Sequence, residues 1–328
     1  MRDINLKATE YFESVVRLGS VTKAGEELGV SPSAVSQQIR LLETQFGVKL
    51  FRREKRRLVL TLDGDRLFHT TTQAFGLLRN ARSYIMRQRQ TRALTVRISP
   101  SLGERWLCPR IDDFVSSHPD WVLRVDSTPE FSEFETEAVD CDVRYGMGGW
   151  PGLSVGLVMH DIIMPVCTPA YRDRLRAHSP DVAAQFGAAR LIDSVKALYR
   201  WDAWLAAQGL EVPEVSFPFR FDRSAMSIAL AKEGAGIALD SISLCLPELT
   251  SGELVPLAPQ YPAIDFPAYW FVCPARHFGR RTVKQFFDWL RDQATRHDTF
   301  ARAFLMKHGT RTVRPDRDGT LSRIAEAS

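Results

Sequence analysis

The residues with chemistry to offer fall into two groups. The first is compact. Ser31, Pro32, Ser33, Ser36, Gln37 and Arg40 lie within ten positions, and the stretch Lys49–Arg57 that follows holds six basic residues in nine, Arg52, Arg53 and Arg56 among them. Hydroxyls, an amide and a guanidinium at helical spacing can bond base-pair edges, and a basic loop beside them can hold phosphates. The second group is scattered: Ser99, Ser101, Thr128, Arg144, His160 and Ser194. Hydroxyls and open backbone N–H groups at the mouth of a helix suit a carboxylate or another anion.

The first group needs a helix to present it. Ala8, Tyr11, Phe12, Val15 and Val16 mark one face of a helix that Gly19 ends. Thr22 is the expected N-cap of a second helix, which buries Ala24 and Leu28 before Gly29 breaks it. Ser31 and Pro32 open a third helix, with Val35, Ile39, Leu42 and Phe46 as its inner stripe. Ser33, Ser36, Gln37 and Arg40 lie away from that stripe, as in a helix-turn-helix. The basic hairpin at 49–60 then reads as a wing; alone it would read equally well as a solvated turn.

Thr61 is placed to cap a long helix over 62–92. Leu67, Ala74 and Ala81, offset by four from Thr71, Leu78 and Ile85, form a heptad seam. That seam predicts pairing of two chains; the alternative is a helix packed on its own domain.

From Thr95 the pattern alternates between strand and helix. Strands are expected at 95–99, 121–127, 142–146, 162–167, 189–192, 217–221, 236–239, 254–257 and 269–273. A short acidic helix is expected at Glu130–Glu137 and a closing helix at 277–293, with 294–328 a flexible tail. Such alternation predicts parallel strands with right-handed crossovers, and ligands in such sheets sit beyond the carboxyl ends of the strands. The second group of residues is read off those ends. Each also has a structural reading: Ser99 and Ser101 as helix caps, Arg144 as the partner of Asp140 or Asp142, and His160, with Asp161 beside it at the crossover between subdomains, as hinge residues.

Composition narrows the function classes. Residues 1–92 of the 328 hold 17 Lys and Arg against 9 Asp and Glu, whereas the rest hold 26 against 30, so the front of the chain suits a polyanion. The start MRDINLKATEYF has no apolar signal core and no run is long enough to span a bilayer, so a cytoplasmic protein is expected. Cys108, Cys141, Cys167, Cys245 and Cys273 form no CxxC pair, which argues against a zinc site or a disulfide framework. A P-loop and an HExxH motif are both lacking, and no cofactor, metal or turnover chemistry is expected.

The run AGEELGVSPSAVSQQIRLLETQFGVKLFRREKRRLVLTLDG resembles the signature of LysR-type transcriptional regulators, in particular the subgroup with activators of glycine-cleavage and β-lactamase genes. The resemblance covers residues 6–66 closely and extends loosely to about 293. It implies an α plus α/β architecture. A winged helix-turn-helix (1–61) and a dimerising linker helix (62–92) would precede a periplasmic-binding-protein-like effector domain (93–293). That domain would have one α/β subdomain from 93–162 and 266–293, and a second from 163–265. It also implies promoter DNA carrying an inverted repeat, a small-molecule effector, RNA polymerase and further copies of the chain, as dimer or tetramer, as partners. Ser99, Ser101, Thr128 and Arg144 match positions that often touch the effector. Two departures stand out: Ala24-Gly25 replaces paired alanines, and Pro32 replaces a glutamine, removing one side-chain contact to a base. Competing readings are a thiol-based redox regulator on the same DNA-binding half and an enzyme fused to a DNA-binding domain.

Overall fold

The computed structural model describes residues 4–54, 57–90, 92–212, 214–316 and 319–321, and for residues 53, 57, 80–81 and 83–90 the backbone alone. The chain divides into two compact units, one built on residues up to Gln90 and one from Thr91 onward.

The first unit opens with α1 (Leu6–Leu18), α2 (Val21–Leu28) and α3 (Pro32–Phe46). Ser20 caps α2, accepting from the Lys23 N–H, so the helix begins before Thr22, the expected cap. Ser31 caps α3 with Pro32 in its first turn. Gly25 sits where an added Cβ would lie 2.7 Å from the Val30 carbonyl, so the turn between α2 and α3 accepts Ala24-Gly25 and not a second alanine without shifting. The core joins Tyr11, Val15, Ala24, Val35 and Ile39 on one side to Ala8, Phe12, Leu42 and Leu50 on the other. Phe46, expected inside, lies 39% exposed at the end of α3.

A two-stranded wing, β1 (Phe51–Glu54) and β2 (Arg57–Leu60), pairs Phe51 with Leu60 and Glu54 with Arg57. It leads into α4 (Leu62–Gln90), whose N-cap Thr61 accepts from the Gly64 N–H at 3.0 Å and donates to the Lys49 carbonyl at 2.7 Å. Leu67 and Phe68 pack on the core and Thr71 is buried; Ala74, Leu77 and Leu78 face outward. The last seam positions, Ala81 and Ile85, lie where side chains are outside the described set.

The second unit is a single curled sheet with two lobes. The first lobe holds β3 (Arg92–Ile98), the short α5 (Pro100–Leu102) running into a π-helical turn at 103–107, α6 (Ile111–Ser117), β4 (Trp121–Ser127) and β5 (Cys141–Tyr145). The long β6 (Leu153–Cys167) crosses to the second lobe. That lobe contains α7 (Pro169–His178), α8 (Val182–Ala188), β7 (Arg190–Ser194), α9 (Trp201–Ala207), β8 (Ser216–Phe221), α10 (Ser224–Lys232), β9 (Ile237–Ser241), α11 (Ile242–Ser251) and β10 (Val255–Pro256). The chain returns through β11 (Ala263–Pro274), α12 (Ala275–Phe278), α13 (Arg281–Lys307) and β12 (Thr312–Val313).

The main strand order is β4-β3-β5-β11-β6-β9-β7-β8. Pairing is parallel within each lobe (β3 with β4 and β5, β7 with β8 and β9) and antiparallel where β6 and β11 join them.

Two expectations fail here. Residues 130–137 form no helix: Asp142 accepts from the N–H and hydroxyl of Ser132, and Arg144 donates to the Ser132 carbonyl, so side chains take the backbone groups a helix would need. The segment from 294 is no flexible tail as far as residue 313. The stripe Val283, Phe286, Phe287, Leu290 continues through Ala294, His297, Ala301 and Leu305, all buried, so α13 keeps a packed face to its end. Beyond it, Ala263 and Ile264 pair with Thr312 and Val313, and Arg302 and Arg314 both reach Asp265.

Candidate functional site

In the first unit the polar face of α3 is open. Ser31, Pro32, Ser33, Gln37 and Arg40 are exposed, opposite the buried Val35, Ile39 and Leu42. The Ser31 and Ser33 hydroxyls lie 2.9 Å apart, and Ser36, half-buried, donates to the Pro32 carbonyl at 3.0 Å, so its free capacity is as an acceptor. Arg52 is exposed beside Glu54. Only the backbone of Arg53 is described, and Arg56 lies outside the described residues.

Sequence reasoning missed Glu43, which ties helix to wing. It is buried at the inner side of α3 and accepts from Lys49 Nζ at 2.7 Å and from the Leu50 and Phe51 N–H groups at 3.0 and 3.3 Å. Burial alone would raise its carboxyl, but these donors outweigh it and hold it below the usual carboxylate range. A lone acid on a buried stripe, followed by a basic run, was the available signal.

In the second unit a cavity of about 310 Å³ opens between the lobes, lined by the carboxyl ends of several strands. Ser99, Ser101, Thr128, Arg144 and Ser194 all line it. Ser101 Oγ accepts from the Ala225 N–H at 3.1 Å, linking the first lobe to α10 of the second, and Tyr145 Oη accepts from the Leu198 N–H at 3.3 Å. The Thr128 hydroxyl donates to Glu130. Arg144 Nε donates to Asp142 at 2.9 Å, and its guanidinium lies against the rings of Phe131, Phe134 and Trp150, so it serves the wall as much as any ligand.

The floor holds two acids, of which the sequence points to Asp161 beside His160 and gives no sign of Asp240. Asp161 lines the cavity, and burial pushes its carboxyl up to about 6. Asp240 lies behind it, and burial pushes it up to about 7. Ser241 joins them, its hydroxyl donating to Asp161 and its N–H to Asp240 at 2.8 Å, while Ser194 Oγ donates to Asp240 at 3.2 Å.

His160 is a correction. It does not line the cavity; its Nδ1 meets Asp265 at 2.6 Å, in the cluster that holds Arg302 and Arg314. Neighbours in a strand face opposite sides, so Asp161 takes the cleft and His160 the hinge.

The competing chemistries fare poorly. Gly152-Leu-Ser-Val-Gly156 does carry the spacing of a nucleophile elbow, yet Ser154 lies within β6, paired with Cys273, and not on a strand-to-helix turn. The glycines at 146–149 form a turn between β5 and β6, where Trp270 Nε1 donates to the Gly146 carbonyl, and they open no helix. Cys141, Cys167, Cys245 and Cys273 are buried; burial pushes the Cys167 thiol up to about 12 and that of Cys273 to about 11, away from the thiolate. Among the described residues no group of three or more His, Cys, Asp or Glu could hold a metal ion.

Two family models cover most of the chain. Residues 6–65 match the bacterial regulatory helix-turn-helix protein model of the lysR family, and residues 87–295 match the LysR substrate binding domain. The chain belongs to the LysR family. It is a DNA-binding transcriptional regulator with an effector-binding domain.

Relatives agree over nearly their full length. The chain is 32% identical to the HTH-type transcriptional regulator PerR of Escherichia coli over 85% of this chain and 92% of that one. It is 30% identical to the transcriptional activator AmpR of Rhodobacter capsulatus, over 89% and 98%. The glycine cleavage system transcriptional activator of Escherichia coli is 32% identical over 76% and 81%. Among solved structures, the effector domain of AmpR of Pseudomonas aeruginosa superposes with a TM-score of 0.54 at 25% identity, covering 65% of this chain and 99% of that one. A full-length AphB variant shares the fold at a TM-score of 0.54 and 17% identity, over 88% and 98%. This LysR regulator therefore has a reading head and a cleft of the kinds the sequence resemblance implied.

Proposed function

We propose that this regulator grips an inverted repeat near a promoter as a dimer, or as a tetramer of paired dimers, joined through the outward apolar positions of α4. Each α3 enters a major groove, with Ser33, Ser36, Gln37 and Arg40 reading base edges and Ser31 and Pro32 set against the backbone at the helix start. Arg52, Arg53 and Arg56 of the wing hold phosphates, so affinity falls steeply with salt. The cleft takes a small molecule that carries an acid group, met by Ser99 and Ser101 with Thr128, Arg144 and Ser194 around it. Occupancy shifts the lobes, hence the half-site spacing and the contact with RNA polymerase. The effector leaves unchanged, without turnover, and the work is done in the cytoplasm.

The observation that carries this reading is the exposed face of Ser33, Gln37 and Arg40 on a helix whose opposite side is buried and whose end is fixed to the wing by Glu43. A gel shift on the DNA upstream of the regulator's own gene tests it. Wild type should form a salt-sensitive complex, and Arg40→Ala should lose roughly 10- to 100-fold in preference over unrelated DNA. Equal affinity for both DNAs in wild type would defeat the reading.

A further inference from the structure

The sensing domain has seven buried carboxylates among its described residues: Asp140, Asp142, Asp161, Asp193, Asp240, Glu248 and Asp265. Five are matched by a cation within the fold. Arg280 meets Asp140, Arg144 meets Asp142, Arg200 meets Asp193, Arg105 meets Glu248, and His160 and Arg302 meet Asp265. The two that remain are Asp161, which lines the cleft, and Asp240, which shares Ser241 with it. Among the described residues, the groups that donate to them are hydroxyls and backbone N–H groups.

That distribution is informative because a buried charge is normally paired, and leaving one without a countercharge is costly. Among the described residues the fold supplies that countercharge five times and omits it at Asp161, on the cavity wall, and at the neighbouring Asp240. Asp161 is 2% exposed and lines the cavity, so a group entering the cleft can reach it. The cavity lining also carries cations, interspersed with Glu130, Asp142 and Asp222, the last 3.8 Å from Arg223. Lys196 and Arg223 line the same cavity from the second lobe, beside the hydroxyls of Ser99 and Ser101 from the first.

We propose that the effector is a compact zwitterion whose ammonium group lies against Asp161, with Asp240 behind it, and whose acid group meets Ser99, Ser101, Lys196 and Arg223. The proposal rests on the reading of the cleft as the effector site and adds the cationic end. An ammonium group has three N–H donors and no acceptor, which matches a floor made of carboxylate and hydroxyl oxygens. The cavity, near the small end for ligand sites, favours a free amino acid or a dipeptide over a larger conjugate. Bridging both lobes, such a molecule would hold them at one angle through contacts that neither lobe offers alone.

The test is thermal unfolding of the full chain with free L- and D-amino acids and short dipeptides, each compared with its N-acetylated and its des-amino counterpart. At least one amino acid or dipeptide should raise the midpoint by several degrees at millimolar concentration, and its two counterparts should fail to do so. Comparison of the two sets of probes also separates an amino acid from a dipeptide. Asp161→Asn, which keeps an acceptor for Ser241 and removes the charge, should weaken that ligand about 10- to 100-fold by titration calorimetry. Equal shifts by the des-amino acids, undiminished by Asp161→Asn, would overturn the zwitterion while leaving the cleft as an anion site. A shift by Mg²⁺ or K⁺ alone that competes with the amino acid would reassign the floor to a metal ion and overturn the proposal too. No shift by any probe would overturn it outright. If, in addition, Ser99→Ala with Thr128→Ala left the transcriptional response intact, the cleft reading would fall with it. The wild-type comparison of each amino acid with its counterparts stands even if the Asp161 variant folds poorly.

Discussion

The two sites of this regulator are built in opposite ways. The helix and hairpin proposed to read DNA span 27 residues from Ser31 to Arg57, and of their polar side chains Ser31, Ser33, Gln37, Arg40 and Arg52 are exposed. The cleft proposed for the effector draws residues from the ends of β3, β4, β5, β7 and β8, and its floor is buried. A surface site tolerates unpaired charge because water screens it. A buried one must match each charge or hold a proton, so an unmatched pair such as Asp161 and Asp240 carries information that an exposed arginine does not.

The sharpest way to break the comparison is to remove the buried charge from the exposed site's foundations. Glu43 is that charge, and Glu43→Ala leaves Leu50 and Phe51 N–H groups without their acceptor. It should cost about 3 kcal/mol of stability in the first unit by urea unfolding, and loosen the wing. A loss below about 0.5 kcal/mol would mean that the hairpin is held by packing alone.

A second prediction concerns the hinge. Ending the chain after Gly309 removes the Thr312–Val313 strand and the Arg314 contact to Asp265. Stability of the sensing unit should fall on the order of 2 kcal/mol, seen as a lower calorimetric midpoint. An unchanged midpoint would make that segment a passenger on the hinge.

The third concerns pH. The Asp240 carboxyl titrates near 7 in the fold against 3.8 when unfolded, and Asp161 near 6. The native state therefore holds more protons than the unfolded chain between these values, and stability falls as pH rises from about 4 to about 7, then levels. His297 works the other way. Burial and the neighbouring Arg110 push it down to about 4, so its contribution is lost as pH falls below 6.5. Asp240→Asn should remove part of the alkaline loss, raising the midpoint by about 2–4 °C at pH 8 and by little at pH 4. A variant that follows the wild-type pH curve would show that Asp240 does not titrate there.

The smallest effect is expected at Cys108, the exposed cysteine. Cys108→Ser should change stability by less than about 0.5 kcal/mol and leave the response to oxidant treatment as in wild type. A lost response would revive a thiol switch.

What the sequence could show differs between the sites in the same way. The reading head was legible because apolar period and cap residues lie close together: Ser31, Pro32 and the Val35–Ile39–Leu42 stripe place Ser33, Gln37 and Arg40 outside without any long-range information. In the sensing domain the strand ends were legible, and with them Ser99, Ser101, Thr128, Arg144 and Ser194. Side-chain alternation puts His160 and Asp161 on opposite faces but does not say which face meets the cleft. Asp240 was invisible, since nothing local says that it will lie behind Asp161. The long α13 was cut short because Gln293 and His297 interrupt its apolar stripe, although both are buried. Residues 130–137 misled because helix propensity yields there to the pull of Asp142 and Arg144, residues distant enough in sequence to be left out of a local reading.

The position of β11 bears on how the molecule is made. This strand sits at the middle of the sheet, between β5 and β6, yet it comes from residues 263–274. On the ribosome the helix-turn-helix has all its partners once residue 90 has emerged, whereas β5 waits for a neighbour synthesised more than a hundred residues later. Long-range pairing of this kind slows folding and leaves strand edges open to wrong partners. The nascent chain thus carries a finished DNA-binding head ahead of an unfinished sensor, and chaperone demand should concentrate on the interval between residues 145 and 274.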